Sequence, residues 1–380
     1  MKRRELLKSI VAIGVSTAIP SLAFASSQSS SILVWVTLRG AIDGLNVVVP
    51  YNDINYRKLR PTIGLNRDQV NDLDGFFGLN PALKNLYSWY ENRELALIHA
   101  CATPYRERSH FDGQKVLENG TDDPFHNSGW LNRLLDNASQ HSSIAIDSGM
   151  PLILQGDAPS SSWYPNKLKA ESELQTLLGE MLQSDKTLSR NFEQMMRINS
   201  MASSANGKAS KQFNNLCDNA GKFLSSSSGP NIAVLELGGW DTHAYQGSTS
   251  GKLSNQLKVL DSGLATLKAA LGSNWSRTVI MVASEFGRTA AENGSKGTDH
   301  GTANAMFVAG GAVNGGQVIT RWPGLGREDL YQGRDLAPTT DMREVIKAVL
   351  SDHLSLSATT ISRTFPTSHQ VKPSFNLIRF

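Results

Sequence analysis

Cysteine is nearly absent: the 380 residues hold two, Cys101 and Cys217. Neither belongs to a metal-binding motif, and their spacing leaves open whether they pair in an oxidising compartment. Past the N-terminus no apolar run is long enough to cross a bilayer, which argues against a polytopic membrane protein. No glycine-rich phosphate cradle follows the first strand and no internal repeat recurs, so ATP use has no support. An excess of either charge is missing too. Lys and Arg number 37 against 34 Asp and Glu, a formal net charge of +3. Lys2, Arg3, Arg4 and Lys8 against Glu5, four minus one, account for all of it. The remainder is close to neutral, and no case for nucleic acid is left.

What is there begins with that basic start. A twin arginine, Arg3-Arg4, precedes the apolar stretch Ile10 to Leu22, which is too short for a span, and Ala23-Phe24-Ala25 is a small-x-small cleavage site. The expectation is a signal peptide over residues 1–25, export by the twin-arginine machinery, a periplasmic or secreted location and no stable membrane insertion. Leu6, where Phe is commonest, leaves the general export pathway open, and an uncleaved anchor is the alternative.

Ser31 to Leu38, Leu95 to Ala100, Ile232 to Leu237 and Thr278 to Ala283 are short, apolar and β-rich, the pattern of strands buried in a parallel sheet. Leu253, Leu257, Leu260, Leu264, Leu267 and Leu271 repeat at spacings of three and four, which predicts a crossover helix between the last two strands. The fold expected is α/β, a mostly parallel central sheet flanked by helices. It would be one domain over 31–375, with a largely helical insertion at about 122–230. Within the insertion, Leu174 to Ile198 reads as helix, and Met181, Met195 and Met196 as its core. Asp341 followed by Glu344 predicts the start of a last helix, with Met342, Val345, Ile346, Val349 and Leu350 on its apolar face.

Metal-ligand side chains gather just past the strands: Asp241-Thr242-His243, Ser284-Glu285, and then Asp299-His300. A right-handed crossover opens the loops after both strands on one sheet edge, so Asp241, His243 and Glu285 converge there. Two carboxylates and an imidazole can hold a divalent cation. Ser109, before a predicted helix from Phe111 to Glu118, is either a helix N-cap or a nucleophile. His99, His126, His141, His353 and His369 have no partner motif and are expected to be structural or exposed.

The order of these parts resembles the alkaline phosphatase and sulfatase superfamily. More closely, Leu38 to Asn46, Tyr105 to Asp112, Gly239 to His243, Ser284 to Thr289, Thr298 to Thr302 and Arg334 to Asp341 are similar to the secreted bacterial DUF1501 proteins. The resemblance implies an alkaline phosphatase-like fold, metal ligands at Asp43, Asp241, His243, Glu285 and His300, and Ser109 as nucleophile. Phe286 stands where the superfamily's two-metal phosphatases carry a His, leaving His110 or Asp299 to replace that ligand around one metal or an altered pair. Implied with this is hydrolysis of a phosphate or sulfate ester, carried by a small anionic molecule or a sulfated or phosphorylated polymer. Arg288, Arg108 and Arg39 are the candidates to grip the anionic group. Zinc or manganese suits mixed nitrogen and oxygen ligands, and calcium or magnesium a more acidic set. A metal-stabilised binding protein and an envelope-assembly factor are the alternatives.

Overall fold

The structure is a computed structural model that describes residues 31–165, 181–182 and 209–379. Its strands are β1 (Ile32–Arg39), β2 (Val48–Val49), β3 (Asn71–Asp72), β4 (Gly78–Leu79), β5 (Leu95–Ala102), β6 (Ser143–Ala145), β7 (Ser161–Ser162), β8 (Ile232–Gly238), β9 (Thr278–Ser284), β10 (Asn304–Ala309), β11 (Gln317–Ile319) and β12 (Thr340–Asp341). Nine of them form one sheet in the order β11-β5-β10-β9-β1-β8-β6-β7, with β12 also on β5, and β2, β4 and β3 form a small second sheet. Every pairing in the large sheet is parallel except those of β10, which runs antiparallel to β5 and β9. The mostly parallel α/β sheet expected from the apolar runs is therefore present. Its consequence for function is simple: β1, β5, β8 and β9 all end on one edge, and β10 begins there.

β1 is central because both of its faces are apolar. Ile32, Val34, Val36 and Leu38 pack into one core, and Leu33 and Trp35 into the other. The Lys252–Leu271 helix covers the first face with the predicted leucine stripe, of which Leu253, Leu257, Leu260, Leu264 and Leu267 are fully buried. The Met342–His353 helix covers the second through Val345, Ile346, Val349 and Leu350. Asp341 starts that helix as expected, its Oδ1 accepting from the Arg343 amide at 2.9 Å.

The stretch expected as a helical insertion supplies the Trp130–Asn137 and Ala209–Ser225 helices. It also supplies β6 and β7, which extend the main sheet beside β8, so its described parts are continuous with the domain. The helix expected over 174–198 lies outside the described residues apart from 181–182, as do Met195, Met196 and the segment 1–25. Met181 corrects one expectation: it is 52% exposed and not helix core. No described helix is long and apolar enough to cross a membrane. Cys101 and Cys217 are buried and unpaired, and burial pushes the Cys101 thiol up to about 12.

Candidate metal centre

Tight backbone contacts bring the strand ends together. Gly40, just after β1, has a φ of +117°, and a Cβ there would stand 2.8 Å from the Asp241 amide nitrogen, so only glycine fits. Its own amide donates to Glu285 Oε1 at 2.8 Å, tying the ends of β1 and β9. Gly287 lets the loop before β10 close over β9: a Cβ would meet the Ala303 carbonyl oxygen at 1.9 Å. Gly287 and Thr302, and Gly301 and Gly287, exchange backbone hydrogen bonds of 2.8 Å, which carries His300 to the same edge.

At that edge three imidazoles and one carboxylate meet. His300 Nε2 lies 2.9 Å from His110 Nε2 and 3.0 Å from His243 Nε2. Asp241 Oδ1 lies 3.0 Å from His243 Nε2, 3.3 Å from His300 Nε2 and 3.7 Å from His110 Nε2. The ligand atoms of His110, Asp241 and His300 all fall within 4.8 Å of one another, close enough to share an ion. Ligands 2.0–2.1 Å from a tetrahedral ion stand roughly 3.3 Å apart, and the separations among His110, Asp241 and His300, 2.9, 3.3 and 3.7 Å, bracket that value.

The other nitrogen of each ring decides its tautomer. His110 Nδ1 lies 2.7 Å from Glu285 Oε1, His243 Nδ1 3.1 Å from Asp299 Oδ1 and His300 Nδ1 3.0 Å from the Arg108 carbonyl oxygen. Ionised carboxylates and carbonyls only accept, so each Nδ1 carries the proton and a neutral ring turns a bare Nε2 lone pair inward. Lone pairs facing each other at 2.9–3.0 Å repel unless a proton or a cation lies among them. Orientation of ligating imidazoles through the second nitrogen is what metal sites require.

Charge and packing support the cluster. The hydrogen bond that His110 donates to Glu285 raises the His110 pKa, and burial lowers that of His300. Burial pushes Asp241 and Glu285 upward, but Arg288 on the first and His110 with backbone amides on the second outweigh it, so both titrate below the ordinary carboxylate value. Hydrogen bonds from Asn293 and then His243 lower Asp299. Phe286 stacks on the His110 ring, with centroids 4.9 Å apart and planes at 29°.

Not every expected residue reaches the centre. Glu285 is buried and behind His110, its carboxylate taken by His110, the Gly40 amide and the Ser284 hydroxyl. Asp43 is held apart, its Oδ2 bonded to Arg60 Nη1 at 2.7 Å and Gln246 Nε2 at 2.6 Å. Asp299 sits one layer out, on His243. His110, not Asp299, is the imidazole that joins His243 and His300. Ser109 occupies the N-cap position of the His110–Asn119 helix, but its hydroxyl makes no capping hydrogen bond.

The arginines are committed to protein partners. Arg288 Nη1 binds Asp241 Oδ1 at 2.5 Å, and its other nitrogens hold the side chain and carbonyl of Thr298. Arg39 is spent on Gln114, Glu118 and Glu236, and Arg108 on Asp335 and Gln332. Sequence reasoning missed Arg60, which pairs with Asp43, and Gln246, which connects Asp43 through Thr298 to Arg288. Neither carries a local signal, since their partners come from distant segments.

Comparison with known proteins places this geometry in context. Among solved structures, the chain is similar to the periplasmic domain of EptC from Escherichia coli in complex with Zn, at 10% identity and a TM-score of 0.40 over 77% of this chain and 76% of that one. It is also similar to Ps i-CgsB in complex with a neocarrahexaose, at 9% identity and 0.43 over 90% and 77%. A protein in the alkaline phosphatase superfamily from Vibrio parahaemolyticus aligns at 12% identity and 0.36 over 81% and 69%. No curated protein matches. The sequence model described as "Protein of unknown function (DUF1501)" matches residues 95–365, well over half of the chain. The chain therefore belongs to the DUF1501 family.

Proposed function

We propose that this protein is an exported, metal-dependent hydrolase of phosphate or sulfate esters. One observation carries the reading: the Nε2 atoms of three histidines turn toward Asp241 Oδ1 while each Nδ1 is already spent on an acceptor. His110, His243, His300 and Asp241 would hold a divalent cation. Three nitrogens and one oxygen favour zinc, with manganese second, over calcium and magnesium, whose sites are built from oxygen. When bound, the cation supplies Lewis-acid polarisation of the ester and a lowered pKa for the attacking hydroxyl or water.

The chain's own contribution is orientation. Glu285, Asp299 and the Arg108 carbonyl fix the rings, Phe286 backs His110, and Arg288 anchors Asp241. Ser109 is the candidate nucleophile, a hydroxyl beside His110 that no capping bond occupies. The twin-arginine start is the basis for export to the periplasm. The test is elemental analysis of the full chain together with turnover of aryl phosphates and aryl sulfates before and after chelation. Bound metal with chelator-sensitive turnover is expected; a metal-loaded protein inert across a broad ester panel would sink the hydrolase.

One observation favours a second reading, a metal-stabilised binding or envelope-assembly protein. Arg39, Arg108 and Arg288 are all engaged by protein groups, leaving none of the expected three to grip an anionic ester. On that reading chelation lowers the melting temperature, while Ser109→Ala leaves ligand affinity unchanged.

A further inference from the structure

A cavity of about 610 Å³ that shares no lining residue with the histidine cluster lies between the Met342–His353 and Ala358–Thr364 helices and the segment that follows them. Three cations line it, Lys347, Arg363 and Lys372, and no carboxylate is among the described residues of its wall. The acids at the start of the longer helix face other partners: Asp341 holds Arg343, and Glu344 accepts from Arg321 and Ser374.

Lys347 is the unusual member. It is 3% exposed, yet Nζ donates only to neutral carbonyls, of Ser368 at 2.5 Å and Val371 at 2.9 Å. An ammonium buried without a carboxylate is costly, and burial pulls its pKa down to about 8. Arg363 gives one nitrogen to Asn137 Oδ1 at 3.3 Å, which leaves most of its fork unused. Ser362 and His369, whose Oγ and Nδ1 lie 2.9 Å apart, add polar groups to the same wall. Ile361 and Val371 add an apolar surface. Convergent cationic donors beside an apolar wall, in a volume within the range of small-molecule sites, match an organic oxyanion.

We infer that this cavity is a second binding site, separate from the histidine cluster, for a small organic phosphate or sulfate. Its guanidinium and two ammonium groups would hold the oxyanion, and the Ile361 side would take the organic part. The inference does not depend on the hydrolase reading.

Calorimetric titration of the full-length protein with inorganic phosphate and with phenyl phosphate, at constant ionic strength, tests it. The Asp241→Asn variant, treated with chelator, serves as the background that silences the cluster. Saturable binding is expected in wild type and in Asp241→Asn alike, tighter for phenyl phosphate. The double variant Arg363→Gln/Lys372→Gln, which changes two exposed side chains, should weaken it at least about tenfold, the worth of one lost charge-assisted contact. Four outcomes overturn the inference: no saturable binding, affinity unchanged in the double variant, binding lost in Asp241→Asn, or no preference for the phenyl ester.

Discussion

Asp43 and Asp241 start from a similar local pattern, an acid within two residues of a glycine just past the end of a strand, and finish in opposite states. Asp43, after β1, is buried and bonded to the equally buried Arg60 at 2.7 Å. Asp241, after β8, is partly open to solvent and turns one oxygen toward three imidazoles. In the first place a guanidinium already supplies the positive charge. In the second Arg288 also reaches the carboxylate, on the same Oδ1 that faces the rings, but three imidazole Nε2 atoms are gathered around that oxygen as well. The difference teaches that an acid at a strand end becomes a candidate cation site not by lacking an arginine but where the rest of the chain also gathers ligand lone pairs around it.

The harshest test of that contrast is Arg60→Met. Stripping one partner from a buried ion pair costs about 3–5 kcal/mol, read as urea-induced unfolding, and metal per chain should stay as in wild type. The double variant Asp43→Leu/Arg60→Met should recover most of the loss, because an apolar pair carries no orphaned charge. A gain of one metal equivalent in Arg60→Met would mean that Asp43 is a ligand waiting for a cation, and the contrast would dissolve. Glu285→Gln comes next. It leaves the Asp241 side intact but loosens the His110 ring, and loss of such a partner weakens metal binding about 10–100-fold. Competition against a chromophoric chelator measures it, with Asp43→Asn as the control that should not move.

How much of this could be read from sequence follows from the range of each interaction. Strands and the leucine stripe are local patterns, so β1, β5, β8, β9 and the Lys252–Leu271 helix are where their periodicity put them. Convergence of Asp241 with His243 near Glu285 needed only the crossover rule. The third imidazole was harder: His110 meets Glu285 across 175 residues and His300 across 190, and a helix-start histidine announces neither partner. Arg288 shows the limit most clearly. Its position beside Glu285 suggests either a salt bridge to that acid or a grip on substrate, yet the loop fold aims it at Asp241 and Thr298. Composition could not foresee Arg60 on Asp43, because that pair depends on a reversal of the chain through Ile63 and Asn46.

Core histidines sharpen the contrast from another side, with both nitrogens or their one buried nitrogen satisfied. His99 Nε2 lies 2.9 Å from the Val48 carbonyl oxygen while its Nδ1 accepts from the Ala100 amide, and His353 Nε2 lies 2.8 Å from the Ile32 carbonyl oxygen. Burial pulls both pKa values down to about 4. The unfolded chain protonates histidine near 6.5, so below that value it binds more protons than the folded state. Stability is therefore full above about pH 6.5 and falls as pH drops toward 4, by at most about 1.4 kcal/mol per unit for each group. Unfolding of chelated protein over this window should show the slope, and His353→Gln should flatten it by one group's share. An unchanged slope would mean that His353 is not held neutral in the fold.

The smallest expected effect separates two helix starts and bears on the nucleophile. Asp341 caps its helix through a 2.9 Å hydrogen bond to the Arg343 amide, whereas Ser109 occupies the same position on its own helix with no such bond. Loss of a working cap costs about 1 kcal/mol. Asp341→Ala should cost at least that, since its pairing with the Arg343 side chain goes too, and Ser109→Ala should stay within about 0.5 kcal/mol, the range of substitutions that remove no contact. Thermal unfolding of both variants decides it. If Ser109→Ala costs a full cap, the hydroxyl serves the helix, and water becomes the better nucleophile for any chemistry at the cluster. If stability holds while ester turnover disappears, the serine is spare for folding and needed for reaction, which is the combination a nucleophile beside His110 must show.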